Sequence, residues 1–404
     1  MHNGINVYSE IRPLKTVLLH RPGKELLNLT PDTLEQLLFD DIPFLKVAIQ
    51  EHDTFAKILK DNGVEVIYLE DLMKEVLEQS DTVKEQFIWQ YIREGCADRR
   101  YHQSVFEYLN ALTDPEELVL KSMEGIKYSE IQSEIETSLA DLANEGNNML
   151  IAPMPNLYFT RDPFASVGNG VCLNRMYFET RRRETIYGEF LFNHHPKLKQ
   201  VNKYYDRYDP YHIEGGDIIN LNDEVIAVGI SQRTEANAIE FLAKHIFRDP
   251  YNAIRQILVF SIPKNRSFMH LDTVFTQIDH DKFTIHPGIN ESLRIFRLYR
   301  KQEGFSISSC EEDLEQVLSK ALKIDHVELI RCGGNDHIAS QREQWNDGSN
   351  TLCIAPGKIL VYERNEITNS LLESYGIEVL RMPSSELSRG RGGPRCMSMP
   401  LWRE

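Results

Sequence analysis

Residues 217–263 read DIINLNDEVIAVGISQRTEANAIEFLAKHIFRDPYNAIRQILVFSIP, and their pattern decides the fold. Two apolar stretches, DIINL and EVIAVGIS, flank a turn at Asn222 and Asp223, which predicts two adjacent strands. The next stretch, RTEANAIEFLAKHIF, places its apolar residues at the spacing of an amphipathic helix, and QILVFSIP is apolar again. The segment therefore predicts one unit of strand, strand, helix and strand, written ββαβ.

Other parts of the chain repeat this order. Near the C-terminus TLCIAP, a turn at Gly357, KILVYER, the helix-like NEITNSLLESYG and IEVLRMP follow one another. Near Asp162 the stretches PFASVG and VCLNRMYF flank a Gly-Asn-Gly turn, and TVLLHRP with the later VEVIYL fits a partial copy. One unit cannot bury its own apolar face, so several copies predict a closed ring with the strand ends pointing at a common axis. An ordinary mixed sheet is the alternative, and both interpretations belong to the α/β class.

A helical segment interrupts this pattern. Residues 71–150 contain amphipathic stretches such as DLMKEVLEQSDTVKEQFIWQYIREG and almost no strand signal. We therefore expect residues 1–70 and 151–404 to form one α/β domain and residues 71–150 to form an inserted helical domain.

The composition restricts the possible partners and the compartment. The 404-residue chain has a formal net charge of -16, so it offers little attraction to nucleic acid or to an acidic membrane surface. Its six cysteines show no C-x-x-C spacing, which argues against a zinc ribbon or a disulfide framework. The sequence shows no signal-peptide pattern and no apolar stretch of membrane-spanning length. We expect a cytoplasmic protein with reduced thiols that acts on a small molecule.

Five short segments carry polar residues where a predicted strand should end. In a strand, residues two apart face the same side, so His270 and Asp272 should project together, and so should His212 and Glu214. Each pair would place a proton-transfer group beside a carboxylate. The segments are NLYFTRDPF with Asp162, HIEGGD with His212, Glu214 and Asp217, SFMHLDTVF with His270 and Asp272, the basic run Arg181–Arg183, and SRGRGGPRCMSMP with Cys396.

Cys396 differs from the other cysteines in its surroundings. A free cysteine is usually a small buried hydrophobic residue, and the others fit that interpretation, including Cys172 and Cys353 in apolar strands. Cys396 instead follows a loop too rich in Gly, Ser and Arg for a packed strand. The neighbouring Arg391 and Arg395 should lower the pKa of its thiol and favour the reactive thiolate. Cys396 is therefore the candidate nucleophile.

Taken together, these residues suit chemistry on a guanidinium group. Its carbon is a poor electrophile because resonance stabilises the cation, so attack needs a strong nucleophile held in line, such as the thiolate of Cys396. Asp162 and Asp272 can bind the cationic head through paired hydrogen bonds. The amine leaving group needs a proton, and His270 is the natural donor.

Other interpretations are open at this point. The H-x-E-x-x-D and H-x-D elements could bind a divalent metal, although no H-E-x-x-H helix accompanies them. Cys396, His270 and a carboxylate could form a thiol protease, although the local signature of such proteases is absent. RGRGGPR is similar to RNA-binding tracts, but a single copy in an acidic chain is weak support. The run Arg181–Arg183 could be a solvated charge cluster.

Four motifs, FTRDPF, HIEGGD, FMHLDTVF and RCMSMP, resemble in their order and separations the bacterial arginine deiminases of the guanidine-modifying superfamily. The resemblance covers essentially the whole chain, including the helical insertion and LLHRPG near the N-terminus. It implies a five-bladed, pseudo-symmetric propeller of ββαβ modules with an inserted α-helical domain. It also implies hydrolysis of L-arginine to L-citrulline and ammonia through a covalent amidino-cysteine intermediate, with no cofactor and no metal.

The resemblance implies catalytic roles for five residues of this sequence. Cys396 would be the nucleophile, and His270 the general acid and then the general base. Glu214 would orient His270 and keep it charged. Asp162 and Asp272 would bind the guanidinium group.

It also implies a substrate-binding set of five residues. Arg181 and Arg233 would anchor the substrate carboxylate, and Asn156, Gly390 and Arg391 would line the site, with Arg391 moving when substrate arrives. Many members of the family carry His directly before the cysteine, whereas this chain has Arg395, whose role the resemblance leaves open.

The nearest rival functions are sister activities on the same fold: agmatine deimination, methylarginine hydrolysis and amidino transfer. The carboxylate-anchoring arginines argue against agmatine. A non-catalytic arginine-binding protein is the rival from another class. We expect L-arginine as the small-molecule partner, no nucleic-acid or membrane partner, and a homo-oligomer whose subunit number the sequence does not give.

Overall fold

The computed structural model describes residue 2 and residues 4–131, 139, 148–264, 266–289 and 293–404. Within these ranges the chain is an α/β protein made of small mixed sheets with helices packed against them. The last part of the predicted helical insertion, residues 132–138 and 140–147, lies outside the described residues.

The segment that decides the fold forms the predicted unit. Strands Ile218–Asn222 and Val225–Ile230 pair antiparallel across the predicted turn. Helix Ala236–Arg248 follows and buries an apolar face that includes Leu242. Strand Gln256–Ser261 then returns parallel to Val225–Ile230. A parallel return needs a crossover, and the helix supplies it.

Five sheets of the described residues share this plan, in which a central strand pairs antiparallel with one neighbour and parallel with another. In one of them the last strand of the chain takes the antiparallel place beside an N-terminal strand, so both ends of the chain meet in one sheet. The five sheets, with the central strand in the middle, are Met399–Arg403, Leu14–Leu19 and Glu65–Tyr68; Phe164–Val167, Gly170–Leu173 and Asn202–Tyr205; Ile218–Asn222, Val225–Ile230 and Gln256–Ser261; Phe275–Gln277, Lys282–Ile285 and Glu328–Arg331; and Leu352–Ala355, Lys358–Tyr362 and Glu378–Met382.

The unit that begins at Phe275–Gln277 has no counterpart in the repeats found from sequence patterns. Its first two strands are short, and the chain leaves this unit before its last strand forms. On the way it builds the hairpin of Arg294–Arg300 and Phe305–Ser309, which extends the neighbouring sheet beside Gln256–Ser261. This inserted hairpin interrupts the unit, so the sequence pattern does not show the repeat. None of the five sheets closes on itself within the described residues, and the ring stays a prediction.

Helices lie between the strands and dominate the region before residue 125. Four of them, from Leu69–Leu77 to Pro115–Glu124, share one apolar cluster with helix Thr185–His194. The short strands Ile126–Lys127 and Met149–Ile151 also pair, which the helical pattern did not predict. Within the described residues the α-helices are Leu34–Leu37, Leu45–Asp61, Leu69–Leu77, Asp81–Gly95, His102–Asn110, Pro115–Glu124, Glu179–Arg182, Thr185–His194, Ala236–Arg248, Leu314–Leu322, His337–Trp345 and Glu366–Ser374.

Short 3-10 helices connect many of these elements. They are Lys24–Asn28, Pro31–Thr33, Arg99–Tyr101, Tyr128–Glu130, Pro155–Tyr158, Gly215–Asp217, Arg266–Phe268, Leu271–Thr273, Pro287–Ile289 and Leu387–Gly390. Among the described helices, none is both long enough and apolar enough to cross a membrane.

Candidate active site

The predicted catalytic residues occupy equivalent places in four of the five units. Each lies in the loop that runs into the antiparallel first strand of its unit, so the sheets bring these loops to one region. In chain order they are Asp162 before Phe164–Val167, Glu214 before Ile218–Asn222, His270 and Asp272 before Phe275–Gln277, and Cys396 before Met399–Arg403.

These loops meet at a small cavity. Glu214 and Asp272 lie directly behind its wall, where they contact His270 and Cys396. A larger cleft, lined by residues such as Arg21 and Glu70, contains none of the predicted site residues. The predicted residues that line the cavity are Asn156, Asp162, Arg181, Arg233, His270, Gly390, Arg391 and Cys396.

The predicted strand through His270 and Asp272 is wrong. His270 has extended backbone and precedes a 3-10 turn, Leu271–Thr273, that contains Asp272. A buried hydrogen bond from Leu271 N to the Asp217 carboxylate (2.9 Å) fixes the turn. The tight turn, rather than strand alternation, places His270 and Asp272 against neighbouring parts of the site.

The expected pair of His212 and Glu214 is also wrong. Glu214 is fully buried at the start of the 3-10 turn Gly215–Asp217. His212 turns away to Glu235, with Nδ1 3.3 Å from its carboxylate, and does not line the cavity. The predicted candidate Asp217 is buried as well, and it accepts a hydrogen bond from Ser231 Oγ (2.7 Å). Asp217 therefore supports the His270 loop and does not face the cavity.

His270 lies between two carboxylates. Its Nε2 is 2.8 Å from Glu214 Oε2, and its Nδ1 is 3.8 Å from Asp162 Oδ1. Burial alone would lower the pKa of His270, but the charge on Asp162 and the hydrogen bond to Glu214 raise that pKa to about 9. Burial would raise the pKa of Glu214, but Arg233 and His270 hold it well below its ordinary value. At neutral pH the pair is an imidazolium beside a carboxylate.

The Cys396 thiol does not have the lowered pKa that the sequence predicts. Burial, followed by the charges of Asp272, Asp162 and Asp347, raises the pKa of Cys396 well above its ordinary value. Arg395 opposes this shift but does not overcome it. The thiol donates a hydrogen bond to Asp272 Oδ2 over 3.6 Å. The free site therefore holds a neutral thiol in a pocket of negative charge.

Arg181 and Arg233 both contact the carboxylates of the site. Arg181 donates to Asp162 Oδ2 (2.7 Å) and forms a forked pair with Glu184. Arg233 donates to Glu214 Oε2 (3.2 Å), and its guanidinium lies 4.8 Å from the ring centre of Phe178. The Nε of Arg233 is buried and has no hydrogen-bond partner among the described residues. Arg233 therefore keeps a donor free for a ligand.

Gly390 and Arg391 form one wall of the cavity. A Cβ on Gly390 would lie 2.1 Å from the hydroxyl of Tyr158, so this close approach requires glycine. Arg391 has a φ of 63°, and its guanidinium stacks 3.5 Å from the ring centre of Trp345. The predicted movement of Arg391 stays a prediction.

On the other side of the cavity, Asn156 donates from Nδ2 to the carbonyl of Leu37 (2.7 Å). Its own carbonyl accepts a hydrogen bond from Arg181 Nη2 over 3.4 Å. Asn156 therefore joins the loop around Leu37 to Arg181.

Arg395 occupies a buried position behind Asp272. It donates to Asp272 Oδ2 (2.7 Å) and, through two nitrogens, to Glu10 at 3.2 and 3.0 Å. Burial opposes the charge of Arg395, but Glu10 and Asp272 raise its pKa well above the ordinary value. Arg395 thus neutralises and orients Asp272. Glu10 was missed because one acidic residue near the N-terminus carries no local motif.

The sequence also did not single out Asn350, which contacts Cys396. It lies in the loop before Leu352–Ala355, the first strand of the fifth unit. Its Nδ2 is 3.1 Å from Cys396 Sγ, and its Oδ1 accepts a hydrogen bond from Cys396 N (3.1 Å). The signal that could have found it is its place in the repeat.

Asp162, Glu214 and His270 are close enough to hold a metal ion, since one ligand atom from each lies within 4.8 Å of the others. The two carboxylates already pair with Arg181 and Arg233. A cation at this position would have to displace or face two guanidinium groups, which disfavours a resident metal.

The chain is similar to one known protein family over nearly its whole length. A family profile described as "Arginine deiminase" matches residues 35–403. An arginine deiminase from Treponema denticola is 58% identical over 404 residues, covering 99% of this chain and 98% of the relative. One from Clostridium perfringens is 52% identical over 407 residues, with the same coverage.

The chain belongs to the arginine deiminase family. The predicted family is thereby confirmed, and with it the predicted activity, the hydrolysis of L-arginine to L-citrulline and ammonia.

Solved structures support the fold. SxtG, an amidinotransferase from Microseira wollei, aligns with a TM-score of 0.54 at 14% identity, covering 99% of this chain and 97% of SxtG. AgrE, crystallised with ornithine and NAD+, aligns with a TM-score of 0.54 at 14% identity over 96% of this chain. The alignment covers only 39% of AgrE, so this chain corresponds to a part of that larger protein.

Proposed function

We propose that Cys396 hydrolyses L-arginine as a covalent nucleophile, with the guanidinium group held between Asp162 and Asp272. The observation that carries this proposal is a pair of unused acceptors. Asp162 Oδ1 and Asp272 Oδ1 are buried and have no hydrogen-bond partner among the described residues. Buried carboxylate oxygens are costly without donors, and a guanidinium group presents N–H donors in a planar fork that suits two carboxylates.

Substrate binding also explains how a neutral thiol becomes a nucleophile. Asp272 and Asp162 are the largest charges that raise the pKa of Cys396. A bound guanidinium cation offsets both charges and places positive charge beside the sulfur. The pKa of the thiol should therefore fall when arginine binds, so that the thiol gives its proton to solvent water and the thiolate forms in the complex and not in the free protein.

The steps then follow from the positions of the groups. The thiolate of Cys396 adds to the guanidinium carbon, and His270, protonated at neutral pH, gives a proton to the departing ammonia. An amidino-thioether remains on Cys396. Water enters, His270 removes a proton from it, and breakdown of the second adduct releases citrulline and the thiolate. Glu214 keeps the orientation of His270 through both halves and favours its protonated form in the first, while Arg233 holds Glu214 in place.

The direct test of the overall reaction is incubation of the purified chain with L-arginine. The ureido group of citrulline and free ammonia are measured over time, and we expect them in equal amounts. Turnover of agmatine or a methylarginine in preference to L-arginine, or an amidino group transferred to an added amine, would contradict this assignment.

The Asp162→Asn and Asp272→Asn variants test the binding of the guanidinium group. Each change keeps the shape of the side chain but removes the charge that pairs with the cation, in a buried site where both partners are desolvated. We expect kcat/KM for arginine to fall by at least about two orders of magnitude in each, about 2.7 kcal/mol of transition-state stabilisation. Steady-state kinetics measure it, with Asp249→Asn outside the cavity as the control. Near-normal kinetics in Asp272→Asn would assign that carboxylate a structural role only.

Arg233→Lys tests recognition of the substrate carboxylate. Lysine preserves a positive charge near Glu214 but lacks the forked donors and the free Nε of Arg233. We expect kcat/KM for arginine to fall at least about thirtyfold, while the slow turnover of agmatine, which lacks the carboxylate, changes little. The ratio of the two substrates is the measurement. An equal loss for both would show that Arg233 acts only through Glu214.

The proposal extends to the arrangement of the five sheets. The five sheets are arranged as blades of a pseudo-symmetric ring, with residues 1–70 and 151–404 in the α/β domain and residues 71–150 as an inserted helical domain. The convergence of equivalent loops on one cavity supports the ring. We also propose that the protein is cytoplasmic. We further propose that it forms a homo-oligomer, and light scattering on the purified chain tests its oligomeric state directly.

A further inference from the structure

The fifth unit points to a residue that the family motifs did not identify. In four units the loop before the first strand supplies a predicted catalytic residue, and in the fifth unit the corresponding loop supplies Asn350. The side chain is fully buried, at 0% exposure. The place of Asn350 in the repeat and its direct contact with the sulfur are independent reasons to examine it.

The contacts of Asn350 join the nucleophile to a guanidinium-binding loop. Its Oδ1 accepts a hydrogen bond from Cys396 N, and its Nδ2 donates to Cys396 Sγ and to the carbonyl of Asp272, each over 3.1 Å. The orientation of the amide is determined by its partners. A backbone N–H needs an acceptor and a carbonyl needs a donor, so Nδ2 must face the sulfur.

The loop that carries Cys396 packs closely on Asn350. A Cβ added to Gly393 would lie 2.8 Å from Asn350 Oδ1 and 2.5 Å from the Asn350 carbonyl oxygen. This approach requires glycine at position 393, and it leaves Asn350 little freedom to turn away from the sulfur. The donor is thus held in place before substrate arrives.

We propose, on the basis of the function proposed above, that Asn350 is a catalytic residue whose Nδ2–H stabilises the thiolate of Cys396. The sulfur lies close to the negatively charged Asp272, which disfavours the thiolate. The amide of Asn350 points the positive end of its N–H dipole at the same sulfur. A hydrogen bond to an anion is stronger than one to a neutral sulfur. The bond therefore strengthens when the thiolate forms, weakens in the amidino-thioether, and strengthens again when the thiolate leaves. This hydrogen bond therefore lowers the barrier in both halves of the reaction and contributes little to substrate binding.

Two variants test this role by different structural means. Asn350→Ala removes the donor and leaves a space, whereas Asn350→Leu removes the donor and fills the space with apolar atoms. The matched control is Asn369→Ala, because Asn369 is also buried and donates from Nδ2 to a carbonyl, that of Tyr362 (2.9 Å), away from the sulfur.

The main measurement is alkylation of Cys396 by iodoacetamide as a function of pH, without substrate, with the labelled cysteine located by peptide mass. Loss of a hydrogen bond to a charged group should raise the apparent pKa of the thiol by about 1 unit or more in both Asn350 variants. We also expect kcat for arginine to fall at least about tenfold while KM stays within about threefold, and Asn369→Ala to match the unmodified protein.

The proposal fails if both folded Asn350 variants alkylate with the pH profile of the unmodified protein. It also fails if the profile shifts only in Asn350→Ala, since an effect confined to the variant with the space would come from altered packing. Failure of the proposed function itself is a different observation. Turnover retained in Cys396→Ala would show that Cys396 is not the nucleophile. The alkylation profile of Cys396 would still report on its hydrogen bond from Asn350.

Discussion

The Cys396→Ala variant should lose arginine turnover by at least about four orders of magnitude and still bind arginine. The loss is expected because no other described group near the guanidinium position can form the covalent bond. The carboxylates, His270 and the arginines all remain, so the electrostatic part of the site is intact. Removing the thiol also leaves Asp162 and Asp272 available for the cation.

Two measurements separate these effects in Cys396→Ala. Citrulline formation over long incubation gives the residual turnover, and calorimetric titration with arginine gives the affinity. Cys310→Ala is the control, because Cys310 is a half-buried free cysteine outside the cavity. Turnover within about a hundredfold of the unmodified protein would exclude a covalent role for Cys396.

The second large effect is expected for His270→Ala, which should lower kcat by about three orders of magnitude, within the usual range for general acid–base catalysis. In the unmodified protein the pKa of His270 is raised to about 9, so the acid form is present at neutral pH. Ammonia departure needs that proton, and the attack of water needs the base that remains afterwards. Both steps therefore slow when His270 is removed.

The pH dependence of kcat/KM gives an independent check on His270. Because the acid form delivers the proton, kcat/KM for arginine should fall as the pH rises through about 9, the pKa of His270 in the free protein, and His270→Ala should lose this alkaline limb. His195→Ala is the control, since His195 is buried but pairs with Glu75 away from the cavity. An alkaline limb that persists unchanged in His270→Ala would assign it to another group.

The sequence predicts the local unit of the fold well because its physical determinants are local. In residues 217–263 the apolar spacing switches from strand to helix and back, and the observed strands and helix follow it. The unit at Phe275–Gln277 was missed because a hairpin that belongs to the neighbouring sheet interrupts it. Short strands that depend on distant partners carry little signal of their own.

The site shows the same division between local and distant causes. His270, Asp272 and Cys396 are found from motifs, and the structure brings His270 and Cys396 to one cavity with Asp272 directly behind its wall. The pKa of the thiol was predicted in the wrong direction, because the sequence shows the adjacent arginines but hides burial and the carboxylates of distant loops. Glu10 and Asn350 act across long stretches of chain, so no local pattern marks them.

The central claim, a covalent bond between Cys396 and the carbon of arginine, has one most direct test. The His270→Ala variant is mixed with arginine and quenched in acid, and the peptide containing Cys396 is weighed by mass spectrometry. Residual attack by Cys396 should outpace hydrolysis of the amidino-thioether once the base is lost, so we expect an added amidino-alkyl mass on Cys396. An adduct on another cysteine, or citrulline formation with Cys396 unmodified at every time point, would contradict it.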